Sequence, residues 1–117
     1  MERGRILILG QTKENTYEIR NLLDSHRYEL EIALSRDVGK MILNQRKMNL
    51  IILHTEAIDA EMDEFFDFLE ERGIEAPIFV LGEEAKRLRE ALPESTEIAC
   101  FEKPYAVQEM LTSIAAL

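Results

Sequence analysis

The chain has one cysteine, three prolines and only 14 Lys and Arg against 23 Asp and Glu among its 117 residues. Each shortage excludes something. A lone Cys100 cannot form an intrachain disulfide and fits a reducing cytoplasm. No apolar stretch approaches the ~18 residues a membrane helix needs. Met1-Glu2-Arg3-Gly4, followed by apolar residues only from Ile6 to Leu9, begins no secretory signal. A formal charge of −9 opposes direct nucleic-acid binding, which calls for a basic patch. There is no HExxH helix, no CxxC, no Ser-His-Asp order and no glycine-rich phosphate loop. Gly10-Gln11-Thr12 lacks the second and third glycines of a dinucleotide fingerprint. No catalytic residue, metal ligand set or cofactor is therefore expected, and the chain does not read as an enzyme.

What is present is a pattern of short apolar runs alternating with helical periodicity. At 46% hydrophobic residues the chain can build one core, as a single domain over residues 1–117. Strands are expected at Arg5 to Leu9, Tyr28 to Ala33, Asn49 to Leu53, Ile78 to Leu81 and Ile98 to Phe101. Helices are expected from about Lys13 to Ser25, with Tyr17, Ile19, Leu22 and Leu23 on one face, and after a Ser35 cap to about Arg46. In the second helix Val38, Met41 and Ile42 are expected to face inward. A third runs from about Ala60 to Arg72, with Met62, Phe65, Phe66 and Leu69 spaced as one stripe and Gly73 as a left-handed cap. Glu83 to Leu92 and Ala106 to Ala116 complete five helices. Strict alternation implies parallel strands, right-handed crossovers and helices on both faces, so the fold class is an α/β/α sandwich of the flavodoxin-like kind. The acidic stretch that contains Glu56, Asp59, Glu61, Asp63, Glu64, Asp67, Glu70 and Glu71 reads as a solvated helix face.

Asn49-Leu50-Ile51-Ile52-Leu53-His54 organises the rest. Four aliphatics without alternation mark a strand buried on both faces, and its carboxyl end is where an open α/β sheet places its crevice. Together with Glu102-Lys103-Pro104-Tyr105 after the fifth strand, 21 residues beyond Gly82, this order of elements resembles the receiver domain of two-component response regulators. The resemblance spans Arg5 to Leu117. It implies a CheY-like sheet of order 2-1-3-4-5 and the N-terminal, cytoplasmic domain of a longer bacterial transcriptional regulator.

The resemblance also implies a phosphorylation cleft, and most of its parts are replaced. His54 stands where the aspartyl acceptor would be. Gly10 and Gln11 stand at the acidic pair that holds magnesium, which demands hard oxygen ligands. Gly82 replaces the hydroxyl residue and Cys100 the switch aromatic, while Lys103 and Pro104 remain. The reading is a degenerate receiver without aspartyl phosphorylation. A shifted register that promotes Glu56 or Asp59 to acceptor is the alternative. Lys103, deprived of its usual partners, is expected to pair with Glu56 or Glu83, because an isolated buried ammonium is costly. His54 reads as a structural filler, and His26 lies at the far end of the sheet.

Such a domain works through its own effector or another protein. A two-fold dimer would use the face of helix four, strand five and helix five, with Lys86, Arg87, Arg89 and Glu90 opposite Glu102, Gln108 and Glu109. A domain that senses a small anion or metabolite in the vestigial cleft is the other function class.

Overall fold

Five short strands pair into one parallel sheet, in which the aliphatic runs of the inner strands bury both their faces and the partly alternating second strand forms an edge. The structure is a computed structural model, and it describes residues 4–24, 28–58, 62–83, 85 and 98–102. Among these the strands are β1 (Arg5–Leu9), β2 (Glu29–Ala33), β3 (Leu50–His54), β4 (Ile78–Leu81) and β5 (Ile98–Phe101). They lie in the order β2-β1-β3-β4-β5, the arrangement expected of a flavodoxin-like, CheY-like fold. Among the described residues three α-helices run between them: α1 (Lys13–Asp24), α2 (Arg36–Gln45) and α3 (Met62–Glu71), with a 3-10 turn at Thr55–Ala57. Of the expected fourth helix only Glu83 and Ala85 are described. The expected fifth helix lies outside the described residues.

Successive strand residues point to opposite faces, so the aliphatic runs feed two cores. Leu7, Leu9, Ile51, Leu53 and Val80 pack with Leu43, Phe65 and Leu69 of α2 and α3. Ile6, Ile8, Leu50, Ile52 and Phe79 pack with Ile19 and Leu23 of α1. The register Ile6↔Leu50 through Leu9↔Leu53 is anchored at its start by Asn49. Its N–H donates to the Arg5 carbonyl (2.8 Å) and its side-chain oxygen accepts from the Arg5 N–H (2.9 Å). On edge strand β2, Glu29 and Glu31 pair with Arg5 and Arg46, both at 2.8 Å. Charge along an exposed edge discourages pairing with another chain.

Helix ends follow the sequence signals. Ser35 caps α2, its hydroxyl accepting from the Val38 N–H at 3.2 Å. After α3, Gly73 adopts φ 65°. Ile74 N–H then reaches the Leu69 carbonyl (2.9 Å) and Gly73 N–H the Glu70 carbonyl (3.1 Å), the paired bonds of a Schellman turn.

Two expected faces are corrected. In α2, Val38 and Met41 are 41% and 58% exposed, while Gly39 and Leu43 are buried. Gly39 is the residue of the helix that faces the sheet: a Cβ there would stand 3.7 Å from Leu9 and Phe65 and 3.8 Å from Ala33. The close face thus carries a glycine, and Val38 and Met41 lie outside it. In α1, Tyr17 lies outside under the Arg20 guanidinium (4.5 Å), and Thr16 is fully buried instead.

Candidate functional site

The carboxyl ends of β1 and β3 adjoin where the chain order reverses, the crevice position of an open α/β sheet. β3 runs one residue further than expected, so His54 is its last residue, paired in register with Leu81 and only 6% exposed. Sequence parity places it on the same face as Leu50 and Ile52, towards α1. Its ring turns back on the chain, and Nδ1 accepts the Glu56 N–H at 3.1 Å. With Nδ1 an acceptor, a neutral ring carries its proton on Nε2.

This bond starts the 3-10 turn, and the turn swings Glu56 across to α1. One oxygen of its carboxylate accepts the backbone N–H of Gln11 (2.6 Å) and of Thr12 (2.8 Å). The other accepts the Asn15 amide (2.7 Å), and the Thr12 hydroxyl stands 3.2 and 3.3 Å from the two. Gln11 and Thr12 lie in the turn just before α1, and a carboxylate on their N–H groups satisfies donors that have no partner inside the helix and complements the helix dipole. Burial alone pushes the Glu56 carboxyl up. The Gln11 and Thr12 N–H groups and the Asn15 amide outweigh it and hold the group below the ordinary value of 4.5. A protonated His54, its Nδ1 3.9 Å from the carboxylate, would act in the same direction, but a ring whose Nδ1 accepts the Glu56 N–H is neutral.

Both glycines of the corner are explained by what fills it. A Cβ on Gly10 would lie 3.0 Å from Glu56 Oε1 and press on the Thr16 hydroxyl. Thr16 in turn donates that hydroxyl to the Thr12 carbonyl at 2.7 Å. Gly82 has φ 137°, and a Cβ there would overlap the Thr55 hydroxyl. A hydroxyl therefore does sit beside the end of β4, but it comes from the residue after β3.

The structure thus brings Gly10, the Gln11 backbone and His54 together and lays Gly82 against Thr55 next to them. Lys103 and Pro104 lie outside the described residues, as do Asp59 and His26. Cys100 is half-buried on β5, packed against the α2–α3 core. Of the expected interaction face, Glu102 is described and half-buried, while Lys86, Arg87, Arg89, Glu90, Gln108 and Glu109 are not. Thr12, Asn15 and Thr55 are the site residues the sequence reading missed. Thr12 followed by Asn15 does carry a local signal, a helix cap three residues ahead of a polar partner.

A magnesium site does not fit this corner. Gly10 offers no ligand, and Glu56 already faces four donors, whose positive ends would repel a cation. Among the described residues no group of three or more His, Cys, Asp and Glu could hold a metal. The polarity is that of an anion site.

No family model matches the chain, and no curated protein does. Solved structures match closely in fold. A signal receiver domain of an HD domain-containing protein from Pseudomonas fluorescens superposes with a TM-score of 0.79 at 18% identity, covering 98% of this chain and 94% of that one. A chemotaxis response regulator of Vibrio cholerae gives 0.79 at 14%, covering 98% of each. A protein described as one of a family of streptococcal redox sensors evolved from two-component response regulators gives 0.77 at 19%, over 97% of this chain and 50% of its own. The chain has the fold of response-regulator receiver domains. Among the described residues no helix is long and apolar enough to cross a membrane.

Proposed function

We propose that this chain is a signalling module of the receiver kind that acts by protein contact, without aspartyl phosphorylation and without a reaction of its own. One observation carries the reading. The residue at the end of β3 is a buried imidazole, and the carboxylate that enters the corner, Glu56, is engaged by N–H donors. A carboxylate so held is a poor nucleophile, and its neighbourhood repels the metal that phosphoryl transfer to an aspartate requires. The same engagement speaks against Glu56 as acceptor in a shifted register. The redox-sensor description of one structural neighbour supports the idea that this fold can leave phosphorelay chemistry.

The partner is an effector domain or another protein, in a cytoplasmic setting. Self-association through helix four, strand five and helix five would set Lys86, Arg87, Arg89 and Glu90 against Glu102, Gln108 and Glu109 of a second copy. Exposed ion pairs of this sort contribute only ~0–1 kcal/mol each, so apolar contact must supply most of the affinity. Amide NMR spectra with and without magnesium and beryllofluoride, a mimic of aspartyl phosphate, test the central claim. Unmoved amides at Gly10, His54 and Gly82 are expected. Shifts there that spread towards the end of β5 would mean a working acceptor and would sink the reading.

A second reading, an anion- or metabolite-sensing domain, has one observation in its favour. A cleft of about 400 Å³ opens beside Gly10 and Gln11, lined also by Ser35, Arg36, Lys40 and Glu64. A rise in melting temperature with phosphate-bearing metabolites would favour it over the first.

A further inference from the structure

Three large hydrophobic residues are exposed among the described residues, and two of them, Val38 and Met41, are neighbours on α2. They belong to a stripe of exposed residues, Asp37, Val38, Met41, Asn44 and Gln45, whose spacing sets them on one side of the helix. The opposite side, with Gly39 and Leu43, is buried on the sheet. Rings elsewhere on the surface have cations over them. Arg20 lies 4.5 Å from the Tyr17 ring, and Lys40 and Arg72 lie 5.7 and 5.4 Å from the Phe68 ring. Val38 and Met41 stay 41% and 58% open to solvent. Lys40 marks the flank of α2 that meets α3, and the sheet ends at β2 on the other. The stripe is therefore accessible.

Its charges run from acid to base. Asp37 is in the first turn of α2, while the Arg36 guanidinium turns inward to the Ala57 carbonyl at 3.2 Å. At the far end Arg46 bonds Glu31 at 2.8 Å, and Lys47 is exposed. At about 1.5 Å per residue Asp37 and Lys47 stand ~15 Å apart, with Met41 between them. Such a face complements itself when turned end for end. A two-fold axis near Met41 lays α2 antiparallel on α2, with Asp37 of each copy beside Lys47 of the other and the helix dipoles opposed. A uniformly acidic or basic partner would match one end and clash at the other.

We propose that the outer face of α2 is a self-docking surface, which takes a second copy of this chain in a two-fold, antiparallel contact centred on Met41. Val38 and Met41 supply the apolar attraction. The two Asp37–Lys47 pairs add little affinity, as exposed pairs do, but they set the direction. One helix face falls short of the ~800 Å² per partner of a stable interface. The contact is thus weak for the free chain and gains weight where a further attachment holds two copies together. It shares no residue with the face of helix four, strand five and helix five, so each contact can fail without the other.

Amide NMR spectra of the intact chain over a dilution series, ~0.05–2 mM, test the proposal. Salt at about 0.15 M screens the repulsion between two chains of charge −9. Amides of Asp37, Val38, Met41, Asn44 and Gln45 should shift saturably, with a midpoint of ~0.1–1 mM. Met41→Asp, at an exposed position, should abolish the shifts. Lys47→Glu should raise the midpoint ~3–10-fold. Adding Asp37→Lys to it should bring the midpoint back, because the reversed pair meets again across the axis. Spectra that do not change with concentration overturn the proposal, as do shifts that Met41→Asp leaves intact. A double variant no tighter than Lys47→Glu alone rejects the antiparallel pairing and the proposal with it.

Discussion

At the scale of single residues, the corner is built on one imidazole and one carboxylate, and each fixes the other. His54 Nδ1 holds the Glu56 N–H, which sets the turn, and the turn carries the carboxylate to Gln11, Thr12 and Asn15. Placing a carboxylate at the end of β3 by His54→Asp would therefore not create a phosphoacceptor. A second carboxylate beside Glu56 sets like charges together and raises the pKa of one. The smaller side chain also leaves part of a buried site empty. The variant should lose ~1–3 kcal/mol in urea unfolding at pH 7. It should also take up no phosphate from acetyl phosphate with magnesium, read by intact-protein mass spectrometry. A stable phosphoryl adduct on Asp at that position would show that the cation site survives in some form, contrary to the polarity argued above.

At the scale of elements, α2 shows where apolar periodicity succeeds and where it fails. Aliphatic runs identified β1, β3 and β4, since a strand covered on both faces needs continuous apolar residues. The Met62, Phe65, Phe66 and Leu69 stripe of α3 is buried as expected. In α2 the same reasoning selected Val38 and Met41, which face solvent. Hydrophobicity cannot register Gly39, which has no side chain to score although it is the position where the helix meets Leu9, Ala33 and Phe65. Those contacts at 3.7–3.8 Å are ordinary van der Waals distances for a Cβ. Gly39→Ala should thus fit without displacement, gain helix propensity and reduce unfolded-chain entropy. A stabilisation of ~0.5–1 kcal/mol in urea unfolding is expected. A loss instead would mean that the helix sits closer to the sheet than 3.7 Å implies. Gly82 is the opposite case, because φ 137° and the Thr55 hydroxyl both oppose any side chain there.

At the scale of the whole molecule, the fold was legible because order, spacing and burial pattern determine it, as superposition on receiver domains at 14–18% identity illustrates. That no carboxylate stands at Gly10 or Gln11, after the first strand, was legible too. What surrounds Glu56 was not, because two of its four donors are backbone N–H groups, which every residue but proline carries. The two scales meet in the dependence of stability on pH. At pH 7 the chain has a formal charge of −9, and self-repulsion opposes the compact state. Acidification towards the sequence pI of about 4.7 relieves it, so stability should rise from pH 7 to about 5. Glu56 acts in the reverse sense and lower down. Its folded-state pKa lies below 4.5, so its contribution is complete above the unfolded value and disappears as pH falls through the folded one. Urea midpoints should therefore peak near the pI and drop on the acid side. Glu56→Gln should lower the maximum by ~1.5–3 kcal/mol and flatten the acid limb while keeping the rise from pH 7 to 5. Salt at about 0.2 M should do the converse, flattening the upper limb by screening and sparing the partly buried contact. An acid limb equally steep in the variant would assign acid unfolding to carboxylates other than Glu56.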